Sequence, residues 1–195
     1  NKLVNILRSK KFITEKYNED KNNIIDKYNE MGYRDAQIVS DSVVDLGNNR
    51  VNVYINIDEG QKYYVRDISW VGNTVYSTDA LNRVLRMEKG DVYNMKHIKD
   101  RLTADEDAVS NYYYNDGYVF NRVTPVEVGE EGDSIDLQIR IIEGIQASIN
   151  QIKIYGNTRV YEDVVRRELY LKPGDLFSMD AFKRSYQELA QMGHF

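Results

Sequence analysis

The chain has 195 residues, 42% of them hydrophobic and 29% charged, with a net charge of −5 and no cysteine. That length predicts two or three small domains rather than one. The acidic balance argues against a nucleic-acid scaffold, which needs a basic surface, and the lack of thiols excludes disulfides and thiolate metal sites. No stretch approaches the roughly 20 apolar residues of a membrane-spanning helix. The opening Asn1-Lys2-Leu3-Val4-Asn5 is too polar for a signal peptide, so the sequence reads as an internal piece of a longer protein.

In chain order, the first legible elements are a helix end at Tyr28 to Gly32-Tyr33, a strand over about Tyr33–Asp45, and a strand through Ile55 and Ile57 that stops at Glu59-Gly60. A further strand, through Val65, Ile68, Trp70 and Val71, stops at Gly72-Asn73, a pair tolerant of positive φ. Ser77 or Thr78 can cap a helix that carries Ala80, Leu81, Val84 and Leu85 at helical spacing, with Gly90 as its breaker. A second, longer helix is predicted from Asn94 to about Tyr114, its apolar stripe interrupted only by Asp105. Gly117 ends it. Tyr118 to Val128 reads as a strand, the polar Gly129–Asp133 as a hairpin turn, and Ile135, Leu137, Ile139 and Ile141 alternate with polar residues as a strand with one buried face. Glu143-Gly144 closes the unit.

The chain then repeats itself. Gly72-Asn73-Thr74 returns 84 residues on as Gly156-Asn157-Thr158, and Gly72 to Lys99 shows ten identities in 28 ungapped positions with the later copy, among them Gly90-Asp91 with Gly174-Asp175. At the same offset Ile55, Ile57, Glu59 and Gly60 meet Ile139, Ile141, Glu143 and Gly144; at 85, Tyr28, Gly32 and Tyr33 meet Tyr113, Gly117 and Tyr118. The predicted organisation is one complete β-α-α-β-β unit over 63–147, a unit lacking its start over 1–62, and a unit lacking its end over 148–195. Each is an α+β module, a three-stranded mixed sheet covered on one face by two helices, in an elongated array with very short linkers. Gly72, Asn73, Gly90, Gly117, Gly156, Asn157 and Gly174 are the expected structural turns.

Little in the sequence points to catalysis. His97 and His194 lack metal-ligand spacing and read as surface or packing residues. Asp100, Asp105, Glu106 and Asp107 read as a solvated acidic face, except that Asp105 lies on the apolar stripe, where the next unit has Leu189, and needs a partner or a route to water. The Glu-Gly pairs read as strand terminators, and Gly90-Asp91 lacks the glycine-rich continuation of a phosphate loop. The 16 tyrosines, clustered at Tyr63-Tyr64 and Tyr112–Tyr114, read as completing thin cores. No enzyme, cofactor, metal, nucleic acid or small-molecule substrate is expected. The feature that can carry function is the backbone: with the last strand central, the second-last strand presents a free edge. Candidate positions for an added strand are Ala36, Gln37, Ile38, Val39 and Ser40 in the first unit, and Val119, Asn121 and Val123 in the second.

The paired motifs Gly-Asn, Gly-Asp, Gly-Tyr and Glu-Gly, in fixed order and at this length, resemble the POTRA domain of BamA-type outer-membrane assembly factors and two-partner secretion transporters. Gly193-His194-Phe195 departs from Gly-Tyr and arrives early. The resemblance implies the third to fifth modules of a periplasmic arm attached to a C-terminal membrane β-barrel absent from this sequence. It also implies a scaffold that binds unfolded outer-membrane β-barrel proteins by strand addition and docks accessory assembly lipoproteins. A transporter arm exporting one dedicated substrate is the alternative it leaves open.

Overall fold

The computed structural model describes residues 12–48, 50–156 and 161–192. The first unit contributes α1 (Thr14–Glu30) and the antiparallel strands β1 (Gln37–Gly47) and β2 (Arg50–Asp58). The second contributes β3 (Tyr64–Val71), α2 (Thr78–Leu85), α3 (Met95–Lys99), α4 (Val109–Asn115), β4 (Arg122–Glu131) and β5 (Ser134–Ile142). The third contributes α5 (Glu162–Arg167) and α6 (Met179–Gln191).

The second unit has the predicted α+β architecture. Its sheet runs β3-β5-β4, with β5 central, parallel to β3 and antiparallel to β4, so the strand alternation read from the sequence places Ile135, Leu137, Ile139 and Ile141 on one buried face. Against that face pack Leu81 and Leu85 from α2, Ile98 from α3, and Val109 and Tyr113 from α4. Burying an aliphatic side chain of this size contributes about 2 kcal/mol. Three strands and a layer of helices are enough to close this core, whereas among the described residues the first unit has a two-stranded sheet and the third has helices without a strand.

Several local expectations need correction, among them the start of β1, which is at Gln37 and not near Tyr33. The helix over Asn94–Tyr114 is broken: after α3 the chain passes through a π-helical turn, Asp100–Ala104, leaves helix at Asp105–Ala108, and re-enters at α4. Arg101, only 5% exposed, explains the break. Its Nε donates to the Val84 carbonyl at 2.8 Å, and its Nη1 reaches Asp105 at 3.0 Å and Asp107 at 2.5 Å. The carboxylate on the apolar stripe is thus held by a buried guanidinium and extends toward solvent. The strand expected from Tyr118 likewise starts later, at Arg122, because Tyr118 to Asn121 form a turn in which Asn121 N–H donates to Tyr118 O.

Ser77 is the cap of α2 and accepts from Ala80 N–H, but the helix ends at Leu85, before Gly90, with Arg86 in the left-handed conformation at φ 53°. His97 Nε2 lies 2.9 Å from the Leu85 carbonyl, so the ring donates to the open C-terminus of α2. Asn157 and the Gly193-His194-Phe195 segment lie outside the described residues.

Candidate strand-binding edges and the junctions between units

Gly32 and Gly117 are buried at φ 96° and 85°, and each starts a chain of backbone hydrogen bonds into the following unit. The Gly32 carbonyl accepts from Tyr63 N–H at 2.9 Å, and the Tyr63 carbonyl accepts from Tyr93 N–H at 2.9 Å. In the next copy Gly117 O accepts from Ala147 N–H at 2.8 Å, and Ala147 O from Phe177 N–H at 3.0 Å. The Gly-Asp motifs complete this strap. Gly90 and Gly174 donate to Val65 and Ile149 carbonyls at 2.7 Å, while Val65 and Ile149 donate to Asp91 and Asp175 carbonyls at 2.8 Å. A Cβ at Gly32 would meet Val92 at 2.6 Å, which is why the helix-end glycine sits there.

The Glu-Gly motif has an equally direct cause. The Glu143 carboxylate accepts from Thr74 N–H at 2.7 Å, Val75 N–H at 2.9 Å and the Tyr113 hydroxyl at 3.0 Å, and also from the Thr74 hydroxyl. It pins the loop after β3 to the end of β5. Burial opposes its ionisation, but these donors outweigh burial and hold the carboxyl below its ordinary range. Tyr28 donates to Glu59 in the same way, at 3.2 Å.

Between the first two units side chains add a polar clasp. Arg34 Nη1 donates to Glu127 at 2.7 Å and Glu130 at 2.9 Å, its Nε and Nη2 reach Asp35, and its guanidinium lies 4.2 Å from the Tyr63 ring centroid. Tyr63 donates to Asp35 at 3.0 Å and to Glu130 at 3.2 Å; Tyr93 donates to Glu127 at 2.8 Å. The Arg34 hydrogen bonds lower the Asp35 carboxyl, with burial pulling the other way, and Tyr63 adds to the lowering.

The two candidate edges differ. Among the described residues no strand pairs with the outer side of β1, an 11-residue strand without proline. The far side of β2 also meets no described strand; in the second unit that place is filled by β3. Gln37, Val39 and Ser40 are exposed on β1, with Val39 in a bulge between Ile38 and Ser40; Ile38 is half-buried, and Ala36 is buried just before the strand. Asp41 accepts from the Tyr17 hydroxyl at 2.8 Å and Lys21 at 3.2 Å, tying α1 to the sheet, and these two bonds lower its carboxyl. The outer side of β4 meets no described strand either, but it contains Pro125, carries a bulge between Glu127 and Gly129, and is gripped at Glu127 and Glu130 by Arg34. All three features blunt an edge. Val119 and Asn121 lie before β4 in the turn, and Val123 is buried against the helices, so these three do not form an exposed strand surface.

Sequence reading missed Arg34. Its only signal was a departure within the repeat, Gly-Tyr-Arg in the first copy against Gly-Tyr-Val in the second. Among the described residues no group of His, Asp or Glu is placed to hold a metal ion, and no helix is long and apolar enough to cross a membrane.

Repeated units strapped end to end, the complete one a layer of helices on a three-stranded sheet, define a class of modular array, and comparison gives it a family. The POTRA family, described as surface antigen variable number repeat, matches residues 1–60, 63–144 and 147–195, and the chain belongs to it. It is 27% identical over 165 residues to outer membrane protein assembly factor BamA of Nitratidesulfovibrio vulgaris, covering 84% of this chain and 21% of that protein. It is 25% identical over 193 residues to outer membrane protein assembly factor BamA of Neisseria meningitidis serogroup B, covering 97% of this chain and 24% of that protein. The chain thus spans less than a quarter of the length of these curated relatives. In fold it matches the crystal structure of Haemophilus influenzae BamA POTRA3-5, with a TM-score of 0.74 and 23% identity over 97% of this chain and 74% of that one.

Proposed function

We propose that this chain is part of the periplasmic arm of an outer-membrane protein assembly factor, with units at 1–62, 63–147 and 148–195, and that it works as a scaffold rather than an enzyme. The observation that carries the reading is the outer edge of β1. It offers a long, proline-free row of backbone donors and acceptors, on a unit held in place against its neighbour. An extended segment of an unfolded β-barrel protein adds there as a further strand, recognised through main-chain bonds that tolerate many sequences. The edge of β4, blunted by Pro125, its bulge and Arg34, contributes little. Accessory lipoproteins dock on other faces of the array. Family membership and the names of the relatives support assembly over dedicated export.

The test is a pair of adjacent substitutions, Ser42→Pro and Val43→Pro. Successive residues of an antiparallel strand turn their N–H groups to opposite sides, so one proline removes an outward donor and the other a ladder bond to β2. The outward variant is expected to keep its fold, measured by circular dichroism, and to lose binding of unfolded β-barrel segments. Unchanged binding by both folded variants would remove β1 as the site.

A further inference from the structure

The two junctions share one backbone strap but not one chemistry. Superposing the copies through their strap bonds places Val119 where the first junction has Arg34, Phe120 where it has Asp35, Ile145 where it has Gln61, and Ala147 where it has Tyr63. The structure fixes this equivalence independently: a Cβ at Gly60 would sit 3.4 Å from Asp35 Cβ, and one at Gly144 would sit 3.4 Å from Phe120 Cβ. In the first junction Arg34, Asp35 and Gln61 reach the following unit, with Gln61 Nε2 donating to the Gly132 carbonyl at 2.8 Å and Tyr63 bridging Asp35 to Glu130. Those acceptors lie at the turn end of the β4–β5 hairpin. In the second junction the matching positions are apolar, and Phe120 and Ile145 are 69% and 74% exposed.

A second observation shows what belongs there. Beside α6 lies an apolar cleft of about 350 Å³, lined by Ile152, Leu171, Phe177, Phe182 and Leu189 among others. By the 84-residue offset the first four correspond to Ile68, Met87, Tyr93 and Ile98, which in the second unit lie on the core closed by the β4–β5 hairpin. The same offset carries the Glu127–Gly132 stretch past position 195.

We propose that Phe120 and Ile145 form an apolar seat for the β-hairpin of the third unit, so that at these positions the second junction is held by desolvation where the first is held by charge, while a polar helix contact is common to both, Glu30 with Lys96 and Asn115 with Asp180. The occupant is that hairpin, seated by the geometry Asp35 and Gln61 use one unit earlier. Salt therefore acts oppositely on these two sets of contacts: screening loosens the charged clasp at the first junction, while excluded salts such as sulfate tighten the apolar seat at the second. The inference does not depend on which edge binds clients.

The test uses the 195-residue chain, which has no native cysteine, and a longer chain carrying the complete third unit. Phe120→Cys and Ile145→Cys are labelled with a maleimide in both, with Val71→Cys, exposed on β3, as control. Labelling at 120 and 145 is expected to slow by about tenfold or more in the longer chain, as for any site that opens only by local undocking, with position 71 unchanged. Equal rates in the two chains would overturn the proposal, as would protection that arises only when another protein is added. In the longer chain the double variant Phe120→Asp, Ile145→Gln should broaden the spin-label distance distribution between the second and third units and leave that between the first and second unchanged. An unchanged distribution between the second and third units would also overturn it.

Discussion

Arg34 and Glu127 lie 93 residues apart in sequence, and Nη1 of the first donates to Oε2 of the second at 2.7 Å, joining the first unit to the edge strand of the second. Because Glu130, Asp35 and the Tyr63 ring share the same guanidinium, one side chain gathers most of the charged clasp that supplements the backbone strap. Arg34→Ala is expected to broaden the distance between spin labels on α1 and β5, at a stability cost of about 1 kcal/mol because the partners are partly exposed. The same broadening should appear in wild type as ionic strength rises.

The clasp also has a pH signature. The Asp35 carboxyl is lowered by Arg34, so its contribution is complete above its ordinary value of 3.8 and is lost as pH falls through the still lower folded value. Distance distributions across the first junction should be constant from pH 7 to pH 5 and broaden only below about pH 4. Broadening near pH 6 would point to a different titrating group.

Glu143→Gln should destabilise the second unit by about 1–2 kcal/mol, since a charged acceptor of several donors becomes an amide with one acceptor oxygen. In wild type the lowered carboxyl stabilises the fold above its ordinary value of 4.5, and that stability is lost as pH falls through the folded value. Urea unfolding at pH 7 and pH 4 tests both, with the gap between wild type and variant expected to narrow at the lower pH.

Two glycines with nearly the same φ separate strain from collision. Gly72, at φ 89°, would place a Cβ 2.0 Å from the Ile141 carbonyl, whereas Gly90, at φ 94°, faces nothing within 4 Å. Gly90→Ala is expected to cost about 1–2 kcal/mol from backbone strain alone. Gly72→Ala must also move β5 and should cost about 3–4 kcal/mol. Equal denaturation midpoints for the two variants would contradict this division.

Arg101→Met keeps apolar volume but strips the Val84 carbonyl of its donor and frees Asp105, while Asp107 keeps only its hydrogen bond from Arg86 at 2.7 Å. A loss of about 2 kcal/mol is expected, with faster amide exchange over Asp105–Ala108 than elsewhere in the unit.

The repeat, the order of elements in the second unit and the central place of β5 were legible because period-2 and period-3.6 patterns report which face is buried. Repetition also marked Gly117 and Glu143, each of which occupies a position where the backbone or loop demands its chemistry. The break at Asp105 was not legible as a break: a charged residue on an apolar stripe signals only the need for a partner, and Arg101, four residues earlier, looks like any surface arginine until it is buried. Arg34 was hidden for a related reason. Two of its three carboxylate partners, Glu127 and Glu130, lie in the next unit, and pairing across a junction leaves no local pattern. The first four residues after Gly117 were misassigned as strand because Val119 and Phe120 have strand-like character, while the turn bonds that hold them come from Tyr118 and Asn121.

The most direct test of strand addition is amide hydrogen exchange of the chain with and without an unfolded β-barrel segment. The account predicts added protection along Gln37–Gly47, on alternate residues, and little change along Arg122–Glu131. Protection confined to β4, or none on β1 at saturating segment, would contradict it.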